Sequence, residues 1–437
     1  MTRHLLLPLL ALAIIGTTRA GDGDFLPPEP LAMRALAAQP DVRAAVAAAQ
    51  AAAAERDALA AGSYEWEAIM IPQRRTVDPQ LRYREFEGQL SRRIRLPGKA
   101  ALDRAIGEHA LTAAQLGIDD ATHQAARRLG QDWMTWLRAE ALADDAQQQR
   151  MLMEQARQLL ARRVQLGDAA RRDLDLMDAE LAQLRAAELS ARADADAARK
   201  ALATTYPQLP LPAKPPQLPE PTPLPHGAAY WRDLIIQRSH EIGIAHQNTL
   251  RQQSVAARAR ADRLPDPSIG LRVLDDRGGA ERAVGLVVSV PLGTRYRRDV
   301  AEREAAHAAK VEAEEAMVRL EIVRDAQATA DLAEARQAQW QALQAAALAQ
   351  EAASARTRRA WELGEASLPE WLQAERMARA SRAQERVARV DALHAALRVR
   401  IDSYELWHDS DAEETSASAQ HTTLAVPQAH ATPPANP

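Results

Sequence analysis

The sequence predicts a mostly α-helical protein with a small membrane β portion: duplicated long antiparallel coiled-coil helices plus two β-hairpins. Three observations support this fold class. Ala, Arg, Glu, Leu and Gln dominate the chain, whereas its 437 residues include only two Phe, six Tyr and 18 Gly, a composition typical of long helices. Two short stretches alternate apolar and polar residues with a period of two. Landmark segments recur in the same order at an offset of roughly 200 residues, which indicates an internal duplication.

The first 20 residues are typical of a secretory signal peptide. Arg3 and His4 form a short basic start, an apolar run over 5–15 follows, and Ala20 is a small residue suited to cleavage. A membrane anchor is the alternative, but an apolar run of about 11 residues is too short to span a bilayer. The chain has no Cys, so we expect no lipid attached to Cys, no disulfide and no thiolate metal site.

Residues 21–206 form the first predicted repeat, which begins with a helix and a β-hairpin. The helix is expected over 31–61, an Ala-rich stretch that ends before Gly62. The hairpin is expected at about 63–97, where apolar and acidic residues alternate. The strand residues proposed for this rougher hairpin are Tyr64 and Trp66.

A very long helix and a returning helix complete the first repeat. From Lys99 to Gln165 no Pro interrupts an apolar stripe with steps of three or four residues. At 1.5 Å per residue this predicts a helix about 100 Å long. Gly167 predicts the turn, because helix ends favour Gly. The seam of the returning helix is expected to consist of Leu174, Met177, Leu181 and Leu184.

Residues 207–226 form a Pro-rich linker, because nine Pro within this stretch favour extended polyproline conformations. Residues 227–408 form the second repeat. Its helices are expected over 230–263, 294–363 and 367–407, with a hairpin over 267–291. Residues 409–437 are rich in Ser, Thr, Ala and Pro without apolar periodicity, which predicts a disordered tail.

The second hairpin shows the clearest alternation, and Gly278 and Gly279 mark its turn. A lone two-stranded hairpin is marginal in water, so we expect it to pair with strands from the first repeat. The apolar strand residues on its shared face are Ile269, Leu271, Val273, Val284, Leu286, Val288 and Val290.

Two-faced strands of roughly ten residues suit a membrane β-barrel, in which side chains alternate between lipid and lumen. Four strands are too few to close a barrel, and open sheet edges cannot face lipid. Three chains would supply twelve strands. The helices are too polar for lipid and must stand in water beside the membrane, where their antiparallel pairs could close into a tube. We infer an oligomeric conduit.

The chain resembles the TolC-type outer-membrane efflux proteins over nearly all of the sequence that follows residue 20. The resemblance is carried by the duplication, by Leu-Pro-Asp-Pro at 264–267 before the second hairpin, by Val-Ser-Val-Pro-Leu at 288–292 after it, and by Leu-Gly-Glu-Ala at 363–366. The 264–267 stretch and Gly167-Asp168 are most similar to the branch that serves heavy-metal exporters of the resistance-nodulation-division class.

The resemblance implies a homotrimer in the outer membrane of a Gram-negative bacterium, with a twelve-stranded β-barrel in lipid and a continuous α-helical tunnel through the periplasm. The implied function is a passive exit duct in a tripartite efflux system, which receives its substrates from a periplasmic adaptor and an inner-membrane resistance-nodulation-division pump. The resemblance to the heavy-metal branch implies divalent metal cations as these substrates. The alternatives are a duct for drug efflux or type I protein secretion and, in another class, a periplasmic coiled-coil scaffold without a pore. A net charge of −4 gives no case for nucleic acid.

The two helix-turn tips are the candidate functional sites. The adaptor-facing residues expected there are Leu166, Gly167, Leu363 and Gly364. In the family an acid six residues after the second-turn Gly narrows the periplasmic mouth, which implies a gate role for Glu370. The next family acid corresponds to Gln373, so a doubled acid ring is not expected. Asp173 occupies the equivalent place in the first copy. The alternative for both acids is a solvated position on a helix surface.

The remaining motifs give no case for catalysis, a cofactor or a metal site. His240-Glu241 with His246 departs from His-Glu-x-x-His, and these residues are expected at a helix start. The sequence contains no phosphate loop, dinucleotide fingerprint or nucleophile elbow, so we expect no enzyme. The Trp residues expected to pack between helices are Trp133, Trp136, Trp340, Trp361 and Trp371.

Overall fold

The computed structural model describes residues 25–79 and 81–408. Within them, the same order of elements occurs twice. The elements of the first half are α1 (Glu29–Ala37), α2 (Pro40–Ala61), β1 (Trp66–Asp78), β2 (Leu81–Arg93), α3 (Lys99–Gln165) and α4 (Arg171–Thr205). Those of the second are α5 (Ala228–Arg238), α6 (His240–Ala261), β3 (Ser268–Asp276), β4 (Glu281–Ser289), α7 (Arg295–Leu363) and α8 (Leu368–Asp402). The predicted signal peptide and C-terminal tail lie outside the described residues.

The first helix of each half is divided in two, which corrects the single helices predicted over 31–61 and 230–263. Gln39 has an extended backbone because Pro40 follows it, and Pro40 then opens α2. At the equivalent break, the Ser239 side chain accepts a hydrogen bond from the Ile242 N–H at 3.3 Å and so caps α6. Each break is therefore made by a residue that favours helix starts.

The long helices α3 and α7 have 67 and 69 residues, and each extends for about 100 Å. α4 packs back along α3, and α8 packs back along α7. The predicted seam of α4 is buried throughout. α8 ends at Asp402 rather than at the predicted 407, because Ser403 leaves the helix and Tyr404 has a positive φ of 59°. The mostly helical architecture predicted from the composition is confirmed.

The four strands form one antiparallel sheet in the order β1-β2-β3-β4. The hairpins meet where β2 pairs with β3, for example at Leu90 and Leu271, which confirms that the second hairpin pairs with strands from the first half. A 3₁₀ turn over Arg277–Gly279 connects β3 to β4. Two strand assignments were wrong: Tyr64 precedes β1, and Val290 follows β4.

Two large apolar clusters hold the helices together. One joins α1 and the middle of α3 to the end of α8, and its centre includes Leu36, Leu129 and Leu397. The other joins α3, α4, α7 and α8 near the turns that connect them, which is the turn end of the molecule, and includes Met177 and Leu368. The five Trp residues expected to pack between helices are all buried, which confirms that prediction. Among the described residues, no helix combines the length and apolarity needed to cross a bilayer.

Candidate functional site

One face of the sheet is an exposed apolar band. The strand register places Leu90 beside Leu271 and Leu271 beside Leu286, and the next row aligns Val273 with Val284. Leu286 is 80% exposed within the single chain. A contiguous apolar surface of this kind marks contact with lipid or with another protein. The exposed predicted strand residues of this band are Trp66, Ile269, Leu271, Val273, Val284, Leu286 and Val288.

The opposite face of the sheet is more polar, although Ile69 and Ile71 also lie on it. Arg272 on β3 forms an ion pair with Glu87 on β2 at 2.7 Å, and Arg75 on β1 forms one with the buried Glu85 at 2.8 Å. Because adjacent residues of a strand point to opposite faces, these pairs lie on the side away from the apolar band. The sheet therefore has an apolar side and a more polar side, as the alternation predicts.

Asp266 links the sheet to the long helices. Its carboxylate accepts hydrogen bonds from the Tyr64 hydroxyl at 2.8 Å, from the Leu96 N–H at 3.0 Å and from Lys99 Nζ at 2.8 Å. Burial opposes ionisation of Asp266, but these donors hold its pKa below the ordinary value. Asp266 is the Asp of the Leu-Pro-Asp-Pro stretch, and the residues it binds belong to the first half. The stretch thus ties one copy to the other.

The two helix-turn tips present exposed leucines beside left-handed glycines. Gly167 and Gly364 have φ values of 82° and 80°, which favour Gly because it has no Cβ. Leu166 is 67% exposed and Leu363 is 59% exposed. Each tip therefore places an apolar side chain in solvent, where it is available to a partner.

The structure places Glu370 in the first turn of α8, in a capping box with Ser367. Its Oε2 accepts a hydrogen bond from the Ser367 N–H at 2.7 Å, and this bond lowers the pKa of the Glu370 carboxyl. Asp173 lies in the first turn of α4, with its carboxylate 3.7 Å from Arg172. Both predicted gate acids thus lie at the starts of returning helices, on the turn end of the molecule.

Glu180 is a functional candidate that the sequence analysis missed. This α4 side chain is 2% exposed and accepts hydrogen bonds from Arg376 Nε at 2.9 Å and from Arg379, both on α8. Burial opposes ionisation of Glu180, but the two arginines hold its pKa below the ordinary value. The bonds join the two returning helices near the tips. No sequence motif predicts this contact, because its partners are almost 200 residues apart.

His240 and Glu241 open α6, as predicted, and His246 lies apart from them in a 3.1 Å pair with Glu315. The structure instead brings Glu241 to His123, with 4.0 Å between Oε1 and Nδ1. Burial lowers the pKa of His240 to about 4, with a further contribution from His123. No sequence pattern predicts this cluster, because its members come from helices that are distant in the chain.

No protein-family model and no curated protein matches the sequence. Solved structures do match. The outer-membrane channel OprN has a TM-score of 0.73 and 19% identity, over 86% of this chain and 90% of its own. CusC, described in terms of its folding and transmembrane channel formation, has a TM-score of 0.71 and 15% identity, over 86% and 91%.

The outer membrane protein VceC of Vibrio cholerae has a TM-score of 0.70 and 16% identity, over 86% of this chain and 95% of its own. At these identities the similarity shows the fold, so the chain has the fold of outer-membrane channels. The TM-scores of several such channels lie between 0.67 and 0.73. They do not single out the heavy-metal branch, and that finer assignment is not confirmed.

Proposed function

We propose that this protein is the outer-membrane channel of a tripartite efflux system and acts as a passive exit duct. The observation that carries the proposal is one sheet with an exposed apolar band, continuous with helical hairpins about 100 Å long. A sheet of this kind suits lipid, and helices as polar as these suit water. The fold shared with OprN and VceC supports the same assignment.

The proposed assembly is a homotrimer with a twelve-stranded barrel. β1 and β4 are the outer strands of the sheet, and within the described residues each pairs with a single neighbour. Unpaired strand edges are too costly in lipid. Pairing β4 of one chain with β1 of the next removes all edges when three chains close the ring. The helical hairpins then continue the barrel as a periplasmic tunnel.

The proposed partners are a periplasmic adaptor and an inner-membrane resistance-nodulation-division pump. Leu166 and Leu363 each lie beside a left-handed Gly and expose an apolar side chain that an adaptor could cover. A passive duct needs no catalytic residues, because the pump supplies the energy of transport. We therefore propose no enzymatic activity, cofactor or nucleic-acid partner.

Divalent metal cations are the proposed substrate class, on the resemblance of the 264–267 stretch and of Gly167-Asp168 to the heavy-metal branch. A susceptibility profile of a deletion strain tests this class against drugs. We expect sensitisation to zinc, cobalt, cadmium, nickel or copper that the intact gene reverses. Sensitisation to drugs alone would reject the metal proposal and leave the duct in place.

The proposed gate consists of Glu370 and Asp173. In a trimer, three copies of each first-turn acid could surround the axis at the turn end and attract cations. Glu370 is already committed to the Ser367 capping box through its Oε2. The gate role therefore requires that the same carboxylate contribute its charge to the pore while it caps α8.

A matched pair of lysine substitutions on β4 tests the barrel. Leu286 lies in the apolar band, whereas Val287 points to the opposite face and pairs with Gly270. Lysine on a lipid face costs roughly 2–4 kcal/mol at mid-membrane depth, so Leu286→Lys should reduce the heat-modifiable trimer and the planar-bilayer conductance. Val287→Lys is the control and should retain both.

The same preparations separate a duct from a scaffold. A barrel stays in membranes after carbonate extraction and forms pores in a planar bilayer. A coiled-coil scaffold washes off and gives no conductance. The proposal fails if the protein is extracted by carbonate, or if Leu286→Lys and Val287→Lys behave alike.

A further inference from the structure

Two helices from different halves of the chain bring one imidazole and two carboxylates together. Asp120 and His123 lie three residues apart on α3 and therefore share a face. Glu241 lies in the first turn of α6. One donor atom from each of the three lies within 4.8 Å of the other two, and α3 packs against α6.

Outer partners orient two of these side chains toward the cluster. Asp402 Oδ1 lies 3.2 Å from His123 Nε2, so that nitrogen donates its proton and Nδ1 is left with a lone pair. The Ser239 hydroxyl donates to Glu241 Oε2 at 2.8 Å, which leaves Oε1 directed to His123. A carboxylate behind the imidazole is the usual second partner of a metal-bound His.

Neutral groups now occupy the space between the three side chains. The Gln124 amide nitrogen donates to Asp120 at 3.3 Å and to Glu241 at 3.4 Å, both beyond the usual range of 2.7–3.2 Å. The Tyr404 hydroxyl lies 2.9 Å from His123 Nδ1. An amide held by two long bonds offsets the repulsion between two carboxylates less well than a cation does.

The nearest arginines are directed elsewhere. Arg127 Nε lies 2.6 Å from Asp402 Oδ1, and Arg398 Nε lies 2.7 Å from Asp402 Oδ2. Both guanidinium groups thus bind Asp402, behind the imidazole, and Arg127 Nη1 also donates to Gln124 Oε1 at 3.4 Å. In the part of the chain that the structure describes, neither arginine forms a direct ion pair with Asp120 or Glu241.

We propose that Asp120, His123 and Glu241 bind one divalent transition-metal cation, with Zn²⁺ as the best match. Zn²⁺ takes imidazole nitrogen and carboxylate oxygen at about 2.0–2.2 Å and often keeps water in a fourth position. Tetrahedral ligands at those lengths lie about 3.4 Å apart, so donor atoms that now lie up to 4.8 Å apart must approach one another by up to about 1.4 Å. The half-buried Asp120 and Glu241 have the freedom to do so.

The bound cation would fasten the middle of α3 to the start of α6 and so hold the two halves of the chain together. This role concerns the wall of the molecule and is independent of what the duct transports. Tyr404 would release Nδ1 when the metal binds, and Gln124 would withdraw from the two carboxylates.

Zinc titration of the full chain tests the site. The detergent-solubilised protein is treated with EDTA, freed of it, and titrated with zinc sulfate by isothermal calorimetry. We expect one Zn²⁺ per chain in a saturable event. Asp120→Asn and Glu241→Gln keep the side-chain shape, and each should weaken the affinity at least about 10-fold. His246→Gln removes an exposed His–Glu pair from the same helix and should leave the affinity unchanged.

Equal Zn²⁺ binding by the wild type, Asp120→Asn and Glu241→Gln would overturn the proposal, because binding by other histidines, such as His421 or His430 in the tail, is indifferent to those carboxylates. Amide exchange gives a second measurement: Zn²⁺ should slow exchange in the first turn of α6 in the wild type but not in Glu241→Gln. Neither measurement needs a pore, so failure here leaves the proposed duct intact, and failure of the duct leaves this site intact.

Discussion

Lys99→Met should weaken the contact between the sheet and the helices more than any exposed lysine substitution. The Lys99 side chain is 2% exposed. Its Nζ lies 2.7 Å from the Leu264 carbonyl oxygen, 2.8 Å from Asp266 Oδ1 and 2.8 Å from Asp262 Oδ1. All three partners belong to the second half of the chain, so one ammonium group holds the two halves together at this point.

The expected loss in the free energy of unfolding follows from the groups that lose the ammonium as their partner. Methionine retains most of the packing of the lysine stem, so the loss is mainly electrostatic. Removing one member of a buried ion pair costs about 3–5 kcal/mol, because the other charge stays buried. Asp266 keeps its bonds to Tyr64 and Leu96, and Asp262 is partly exposed. We therefore expect the lower end, about 3 kcal/mol, which is roughly a 150-fold change in the ratio of folded to unfolded protein.

Urea unfolding followed by far-ultraviolet circular dichroism measures this loss. Lys310→Met is the matched control, since Lys310 Nζ lies 2.9 Å from Glu314 but is 68% exposed, and exposed pairs contribute about 0–1 kcal/mol. Asp266→Asn combined with Lys99→Met should recover part of the loss, because no unpaired carboxylate remains. Equal losses in the free energy of unfolding for Lys99→Met and Lys310→Met would contradict this role of the buried ammonium group.

Three further predictions concern charge. Burial opposes ionisation of Asp262 and Asp266, but Arg258 and Lys99 hold their pKa values low. The stabilisation from these carboxylates is therefore present above about pH 4 and is lost as the pH falls further. In urea unfolding at acid pH, the free energy of unfolding should fall less steeply with pH in Asp266→Asn than in the wild type. Glu180→Gln should speed amide exchange of α4 and α8 near the tips at least about tenfold, or about 1.4 kcal/mol, and unchanged exchange would reject this tie. Glu370→Gln keeps a side chain that can cap the helix but removes its charge, so it should reduce cation selectivity in bilayers. Ser367→Ala, the control, should retain the selectivity of the wild type. Equal selectivity of both variants and the wild type would show that Glu370 is not part of the gate.

Local sequence patterns predicted the long elements well. α3 has the bounds expected from its uninterrupted stripe, and α7 differs by one residue at its start, because Pro-Gly and Gly signals next to the helices act locally. The breaks at Gln39 and Ser239 were missed, although Pro40 and Ser239 are local signals for the start of a helix. Tyr64 alternates like a strand residue, yet it lies outside β1, and its hydroxyl binds Asp266, a contact that no local pattern contains.

The candidate sites also divide into those that local sequence patterns predict and those that they do not. Leu166 and Leu363 could be placed at the tips from the glycines that follow them, because a left-handed helix end is specified by one residue. The Glu180 contact and the cluster around His123 could not be predicted from the sequence, because their partners are brought together only when α3, α4, α6 and α8 pack. Long-range pairs of charged side chains leave no periodic signal in a sequence.

The contacts between the two halves are complementary rather than repeated. At the sheet, the first half supplies the ammonium of Lys99, and the second half supplies the carboxylates of Asp262 and Asp266. At the proposed zinc site, the first half supplies His123, and the second half supplies Glu241. Each junction joins non-equivalent positions, since α3 follows the hairpin of its half whereas α6 precedes the hairpin of the other. The opposite charges at the first junction attract each other, and different elements of the same repeated order supply them. The two halves therefore meet through pairs of unlike elements, so the helix and hairpin patterns that each half needs for its own folding can stay alike.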